Sequence, residues 1–508
     1  MYRFSQTLRR RSISEKAENS SRIGLRPDTL ASSIVILLAV NVVQRTIGFG
    51  RGVLFCRWLE PEELGHWEMA YSFLLLAAPL AVLGLPGSFG RYLVRYQEQG
   101  RVRLFLRRTA SWTLGLSALT IGILLWQQHA VANLVFGDAS QGPLVVLTVS
   151  CLAVVILHHF LEAVFAGLKL FRIVSAMHFC QSMFFAGSAL ALVACWRPDA
   201  GSVIVGYAIG CAVSASGTLL WSLISNGSAT QPQSATEAIS HREFWPPLMR
   251  FAIGVWVANF LCNLFAIIDR YMILHAGTFE SSVALQQIGN YHAACIVPLL
   301  LVSVANLLVG AMTPHLSHEW EAGDRERVSQ RLNLALQLVA LAMLAAGSGV
   351  LVGCPWLFDL AFGDKYAAGL AVLPWTVASC VWFALLLVAQ TYAWCAENTR
   401  AAAWPLAIGL VANVTLNFLW LPQWGLAGAV AATAVATLIT LYAQLVVNQR
   451  LGMQVAWPTL AMGMSPLLLA GGAVVSLVGL GVLIAIASLQ IFINQTPGWT
   501  SLGNFRAT

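Results

Sequence analysis

Charge is what this chain lacks. Asp, Glu, Lys and Arg make up 10% of its 508 residues, against about 25% in soluble domains. That scarcity excludes an ordinary hydrated enzyme surface, and no soluble domain of usual size fits between the apolar runs. The G-x-x-x-x-G-K-[ST] phosphate loop, the G-x-S-x-G elbow and the H-E-x-x-H helix are all missing, so no sequence basis exists for nucleotide hydrolysis, serine hydrolysis or zinc proteolysis. No Cys-x-x-Cys pair occurs among the ten cysteines. Scattered through apolar segments, they read as small core residues, with no disulfide and no metal role expected.

What is abundant is apolar sequence: 58% of residues, with a mean hydropathy of +0.72. Runs of about 20 apolar residues suffice to cross a bilayer, and they recur along almost the whole length. Inside lipid only helices and closed barrels satisfy their own backbone, and runs this long are not alternating barrel strands. The expectation is an all-α, polytopic membrane protein. Twelve spans are expected, near 30–56, 67–90, 109–126, 143–167, 173–195, 201–224, 247–271, 287–312, 332–353, 367–394, 401–419 and 425–447. A further apolar stretch, 458–493, accommodates one or two C-terminal helices. Residues 1–29 are basic and polar and read as a cytoplasmic tail, not a signal peptide.

Charge placement orients the bundle. With the N-terminus inside, 22 of the 29 Lys and Arg fall on cytoplasmic segments and only Arg57, Arg197, Arg270 and Lys365 on outer ends. This is the positive-inside pattern. The net charge of +7 is thereby a topology signal, and no nucleic-acid partner is implied. The Arg-rich segment 91–108 reads as part of the same anchoring.

The chain also repeats itself. Gly65-His-Trp67 returns as Gly289-Asn-Tyr291, Glu98-Gln-Gly100 as Glu321-Ala-Gly323, Phe136-Gly-Asp138 as Phe362-Gly-Asp364, and Trp196–Gly201 as Trp420–Gly425. The order is kept and the offset stays between 223 and 226. It covers six spans, an even number, so both copies cross in the same sense. The reading is two parallel six-helix lobes, 30–224 and 247–447, related by a pseudo-twofold axis along the membrane normal. A linker at 225–246 joins them and a C-terminal extension covers 448–508. Transporters built this way place substrate between lobes that rock.

Several stretches, in order, resemble one family. They are Arg45-x-x-Gly-Phe-x-Arg51, Leu59-Glu-Pro-Glu-Glu-Leu-Gly65, Leu83-Gly-Leu-Pro86, Ile268-Asp-Arg270, Ile288-Gly-Asn-Tyr291, Pro314-x-Leu-Ser317 and Trp424-Gly-Leu-Ala-Gly-Ala429. The pattern resembles the polysaccharide transporters of the multidrug/oligosaccharidyl-lipid/polysaccharide exporter superfamily. The first stretch is also similar to the opening helix of lipid II flippases. The resemblance implies a non-enzymatic, cofactor-free flippase in the cytoplasmic (inner) membrane. Its cargo would be an undecaprenyl-pyrophosphate-linked oligosaccharide for polysaccharide or lipopolysaccharide biosynthesis. It also implies contact with membrane lipids, transient contact with other polysaccharide-assembly proteins, and coupling to H+ or Na+. The alternatives are a lipid II-type flippase and a multidrug extrusion antiporter.

Arg45 and Arg51 lie inside the first span, where an arginine costs about 2.5–3.5 kcal/mol on insertion scales. Gly48, Gly50 and Gly52 between and beside them favour a bend or local unwinding there. The expectation is that Arg45, Arg51 and Arg270 line an aqueous cavity and grip the pyrophosphate with forked, charge-assisted hydrogen bonds. The alternative is ion pairing within the membrane, of Arg270 with Asp269 or of Arg51 with an acidic residue of the other lobe, or simple snorkelling. Asp269 and Glu162 are the deepest acids and the candidates for ion coupling. A hydrogen bond from Glu162 to His158 or His159, one turn away, is consistent with the spacing, and no metal site is expected of the three, which lack further ligands at a recognised spacing. Glu68 reads as an ordinary acid at a helix start.

Overall fold

The computed structural model describes residues 30–226, 241–277 and 279–495, and every regular element among them is helical. The expected tail, most of the linker and the last residues lie outside this range. The chain divides into two units, Met1–Val43 and Gln44–Thr508, and the contacts that build the site all lie inside the second.

The helices of the first half are α1 (Leu30–Trp58), α2 (Pro61–Ala81), α3 (Phe89–Glu98), α4 (Val102–Trp126), α5 (Gln128–Phe136), α6 (Gly142–Gly167), α7 (Phe171–Cys195) and α8 (Ala200–Asn226). The second half follows with α9 (His241–His275), α10 (Ser281–Cys295), α11 (Pro298–Glu321), α12 (Arg325–Leu357), α13 (Ala367–Cys395) and α14 (Thr399–Arg450). Three more, α15 (Trp457–Gly463), α16 (Leu467–Ala470) and α17 (Ala473–Gln495), end the described chain. Eight helical stretches are long and apolar enough to cross a membrane, nine with the bent pair α2–α3 counted as one span. Two of the eight, Arg325–Cys395 and Ala401–Arg450, contain breaks. The protein is a multi-pass, all-helical membrane protein.

Four local differences from the sequence expectation have identifiable causes. The glycines of α1 do not unwind it: the helix runs unbroken through Gly48, Gly50 and Gly52. Glycine permits a bend but does not force one. The second span is broken, with α2 and α3 meeting at 62°. Pro79 sits in the last turn of α2, Leu83 and Gly84 both take left-handed φ (49° and 62°), and Pro86 follows. At Gly84 a Cβ would stand 2.3 Å from Cβ of Trp256, so α9 packs into the break. The eighth span is interrupted between Cys295 and Pro298, where the proline ring has no N–H to continue the ladder. After 450, the chain forms neither one nor two plain helices. It runs through two short helices, then turns at Gly471-Gly472 so that Gly479 of α17 packs on Leu468.

The segment 91–108 packs against the start of α9. Phe89, Leu93 and Phe105 are buried with Phe244 and Leu248 of α9, and the Tyr92 hydroxyl donates to the Pro247 carbonyl at 2.9 Å. This apolar patch joins the start of α9 to the first half of the chain.

Candidate functional site

The two halves cross at a pair of glycines. A Cβ on Gly65 of α2 would lie 2.0 Å from the Leu285 carbonyl oxygen, and one on Gly289 of α10 would lie 1.8 Å from that of Pro61. Only glycine lets the two backbones come this close. The contact is reciprocal: 61 meets 289 and 65 meets 285, and each pair of equivalent positions is 224 apart, the offset of the sequence repeat.

One turn beyond the crossing lies a buried charge cluster. Glu68 is 5% exposed. Its carboxylate accepts from Arg270 Nη2 at 2.7 Å and meets His292 Nδ1 at 2.6 Å. Glu68 and His292 are themselves 224 residues apart, so equivalent positions of the repeat bond to each other. Arg270 also lies 3.7 Å from Asp269 and donates to the Ala266 carbonyl at 2.7 Å. Asp269 accepts the Arg270 backbone N–H at 2.9 Å and a bond from Tyr291. The Glu68 expectation is overturned. It is not a free acid at a helix start but the first half's contribution to an ion pair that spans both halves.

Further contacts surround the same end of the bundle. Lys365 Nζ donates to Glu60 at 2.7 Å, and the Tyr366 hydroxyl donates to the Leu59 carbonyl at 3.1 Å. From the other side, Ser281 donates to the Gly137 carbonyl at 2.7 Å, and His275 Nε2 meets the Leu134 carbonyl at 2.8 Å. Asp138, next to Gly137, caps that turn through the Ser140 amide and hydroxyl, which hold its carboxyl below the usual carboxylate range.

Arg51 is bound differently. Its guanidinium lies 4.0 Å from the Phe185 ring centroid and 6.0 Å from that of Phe55. Phe185 belongs to an aromatic group with Trp67 and Tyr207, at 5.6 and 5.0 Å between centroids, and Tyr71 lies 5.9 Å from Tyr207. Among the described residues no carboxylate lies within ion-pair distance of Arg51. Tyr71 is within electrostatic reach of Arg51, Glu68 and Arg270, so the aromatic group adjoins the charge cluster. Arg45 is exposed and likewise has no ion pair among the described residues. On an unbroken helix, six residues separate Arg45 and Arg51 by about 9 Å along the axis and about 120° around it. They do not share a face.

Glu162 lies elsewhere, on α6. His159 Nδ1 stands 3.0 Å from one carboxylate oxygen, and His178 Nε2, from α7, 3.1 Å from the other. His178 is the residue that spacing along α6 could not reveal. The signals for Glu68 and His292 were present in the repeat itself, one residue beyond the matched Gly-x-aromatic triplets.

Residues 30–320 match the family pattern described as "Polysaccharide biosynthesis protein". The chain belongs to that family. The fold is similar to the structure titled "Lipid II flippase MurJ, inward closed conformation", with a TM-score of 0.68 and 13% identity over 91% of this chain and 99% of that one. It is similar also to an inward-facing multidrug resistance MATE family transporter of the MOP superfamily, with a TM-score of 0.60 and 12% identity over 83% of this chain and 100% of that one. Against an outward-facing MATE family transporter the TM-score is 0.52, at 12% identity over 83% and 94%. The sequence matches no curated protein significantly. This family member thus has the fold of membrane transporters.

Proposed function

We propose that the chain is a flippase, not an enzyme, that carries an undecaprenyl-pyrophosphate-linked oligosaccharide across the cytoplasmic membrane by alternating access. The N-terminus is cytoplasmic, and the lobes 30–224 and 247–447 rock about a pseudo-twofold axis. The reciprocal crossing at the repeat offset supports such an axis. The observation that carries the substrate reading is Arg51: half-buried, without an acidic partner among the described residues, and resting on aromatic rings. A membrane protein this poor in charge places an unpaired guanidinium inside a span at about 2.5–3.5 kcal/mol. An anion that arrives with the substrate would offset that cost, and a pyrophosphate matches the guanidinium fork. Arg45 serves as a separate station on the neighbouring side of the same helix.

Arg270 has a second part in this reading. In the present conformation it is held by Glu68 and Asp269. A pyrophosphate that competes with Glu68 for Arg270 would loosen the junction between the lobes, so that substrate arrival and opening become one event. The junction lies at the end assigned as outer by the positive-inside pattern. Coupling to H+ or Na+ is assigned to Asp269 and Glu162.

The same chemistry would serve a lipid II-type cargo, which differs in its glycan. A drug antiporter fits less well, because both buried acids near the crossing, Glu68 and Asp269, are already engaged by Arg270 and His292. The test is reconstitution into vesicles, with a fluorescent undecaprenyl-pyrophosphate oligosaccharide and a fluorescent organic cation as parallel cargoes. Movement of the lipid-linked glycan alone is the expected result. Efflux of the organic cation alone would refute the proposal.

A further inference from the structure

We propose that His158, Glu162 and His178 form a binding site for one divalent transition-metal ion of the zinc class. The site lies within the first half of the chain, away from the crossing; it does not depend on the flippase reading, and a metal held there would leave Asp269 as the acid for ion coupling. His158 and Glu162 are four residues apart on α6 and so project from one face. His178 approaches from α7. One ligating atom from each of the three lies within 4.8 Å of the other two. A tetrahedral ion with bonds of about 2.1 Å spaces its ligands by about 3.4 Å, so small side-chain movements bring all three into range. His178 Nε2 and Glu162 Oε1, at 3.1 Å, already stand near that spacing.

The second observation is His158. It is 2% exposed, and its Nδ1 has no hydrogen-bond partner among the described residues. Buried polar nitrogens are rarely left unpaired, and in a hydrogen-bonded network a missing partner is costly. A metal ion bound through Nδ1 would supply that partner. The outer shell is also in place: His159 Nδ1, 3.0 Å from the second Glu162 oxygen, orients the carboxylate.

The donor set selects the metal class. Two imidazoles and one carboxylate suit Zn2+ and its neighbours, whereas Ca2+ and Mg2+ demand oxygen ligands throughout. Three protein ligands leave one coordination position for water or another group. His178 and Glu162 side chains are 40% and 26% exposed, which provides an entry path. The metal would tie the fourth and fifth spans together. The sequence offered two histidines and a glutamate on one helix without a recognised metal spacing; the third ligand became visible only through the packing of α6 on α7.

The test uses the full chain in detergent, purified without a histidine tag, stripped with chelator and titrated with Co2+. The wild type should bind one Co2+ per chain with the intense visible bands of a four-coordinate site, and Zn2+ should displace it. His178→Ala and Glu162→Gln should abolish the bands and weaken binding at least about 100-fold, while His159→Ala keeps the bands and weakens binding about 10- to 100-fold. Size-exclusion profiles report whether the variants fold. X-ray absorption of the wild-type zinc form should give two imidazoles and one carboxylate without reliance on any variant. Absence of stoichiometric binding to the wild type would overturn the proposal and leave a proton-bridged His–Glu pair. Binding that survives both His178→Ala and Glu162→Gln would overturn it equally.

Discussion

Replacing Glu68 by Gln isolates the junction between the two halves. The Glu68 side chain is 7% exposed and meets Arg270 at 2.7 Å and His292 at 2.6 Å. Removing one member of a buried ion pair costs about 3–5 kcal/mol, chiefly from the charge left behind. Here Arg270 keeps Asp269 at 3.7 Å, and the carbonyl of the substituted amide still accepts a hydrogen bond. The loss therefore falls to about 2–3 kcal/mol. Under the proposed alternating access the bond joins the halves only while they are shut at this end, so the loss falls on the shut conformation. At about 1.4 kcal/mol per decade, the shut-to-open ratio drops roughly 30- to 150-fold.

Cys295 reports this change. It is 7% exposed and lies within electrostatic reach of Glu68, Asp269 and Arg270. With the other nine cysteines replaced, its reaction with a membrane-impermeant maleimide added from the outer side should accelerate by the same factor in Glu68→Gln. The conservative Glu68→Asp, which retains the charge, should accelerate it much less. A Glu68→Gln rate within about threefold of wild type, in a monodisperse protein, would refute the assignment of the junction as a latch.

Gly65→Ala and Gly289→Ala each force a methyl to within 2.0 Å or less of a backbone carbonyl oxygen. Each should lower stability by about 1–3 kcal/mol through overpacking, read as a lower thermal midpoint in detergent. Gly310→Ala, where a Cβ meets nothing within 4 Å, should be neutral or slightly stabilising. Cysteines in place of Glu60 and Lys365, whose side chains meet at 2.7 Å, should be joined by a short reducible bis-thiosulfonate. Transport should stop on cross-linking and return on reduction; transport that continues through the cross-link would contradict alternating access. Phe185→Ala removes the ring 4.0 Å from the Arg51 guanidinium and should weaken binding of the lipid-linked glycan by about 1–2 kcal/mol, measured by quenching of a labelled analogue.

The membrane-spanning helices were legible because hydropathy and backbone satisfaction leave few alternatives in lipid. Their interruptions were legible only in part. Pro86 and Pro298 mark two breaks in the sequence, yet α1 remains whole through three glycines, since glycine permits a bend without forcing one, and Ile296 meets the Gly52 position only at ordinary contact distance, 3.6 Å. The charge cluster shows a sharper limit. Arg270 and Asp269 stand out as charges in an apolar span, but Glu68 resembles any acid in the first turns of a helix. Its meaning comes from His292, 224 residues away, and from a glycine crossing that brings α2 and α10 together. The repeat held that information in its offset. His178 had no such marker, because nothing in the sequence registers α7 against α6. The aromatic group beneath Arg51 was hidden for the same reason: Phe185, Trp67 and Tyr207 come from three helices, in a chain where aromatics are spread through most spans.

Arg51 is proposed to meet the pyrophosphate of the cargo. The measurement that tests it most directly is flipping of a labelled undecaprenyl-pyrophosphate oligosaccharide in proteoliposomes, with wild type, Arg51→Lys and Arg51→Ala compared at equal reconstitution. Arg51→Ala should abolish flipping, and Arg51→Lys should retain it only in part, since an ammonium keeps the charge but not the fork. Wild-type flipping rates in Arg51→Ala would contradict the proposed contact.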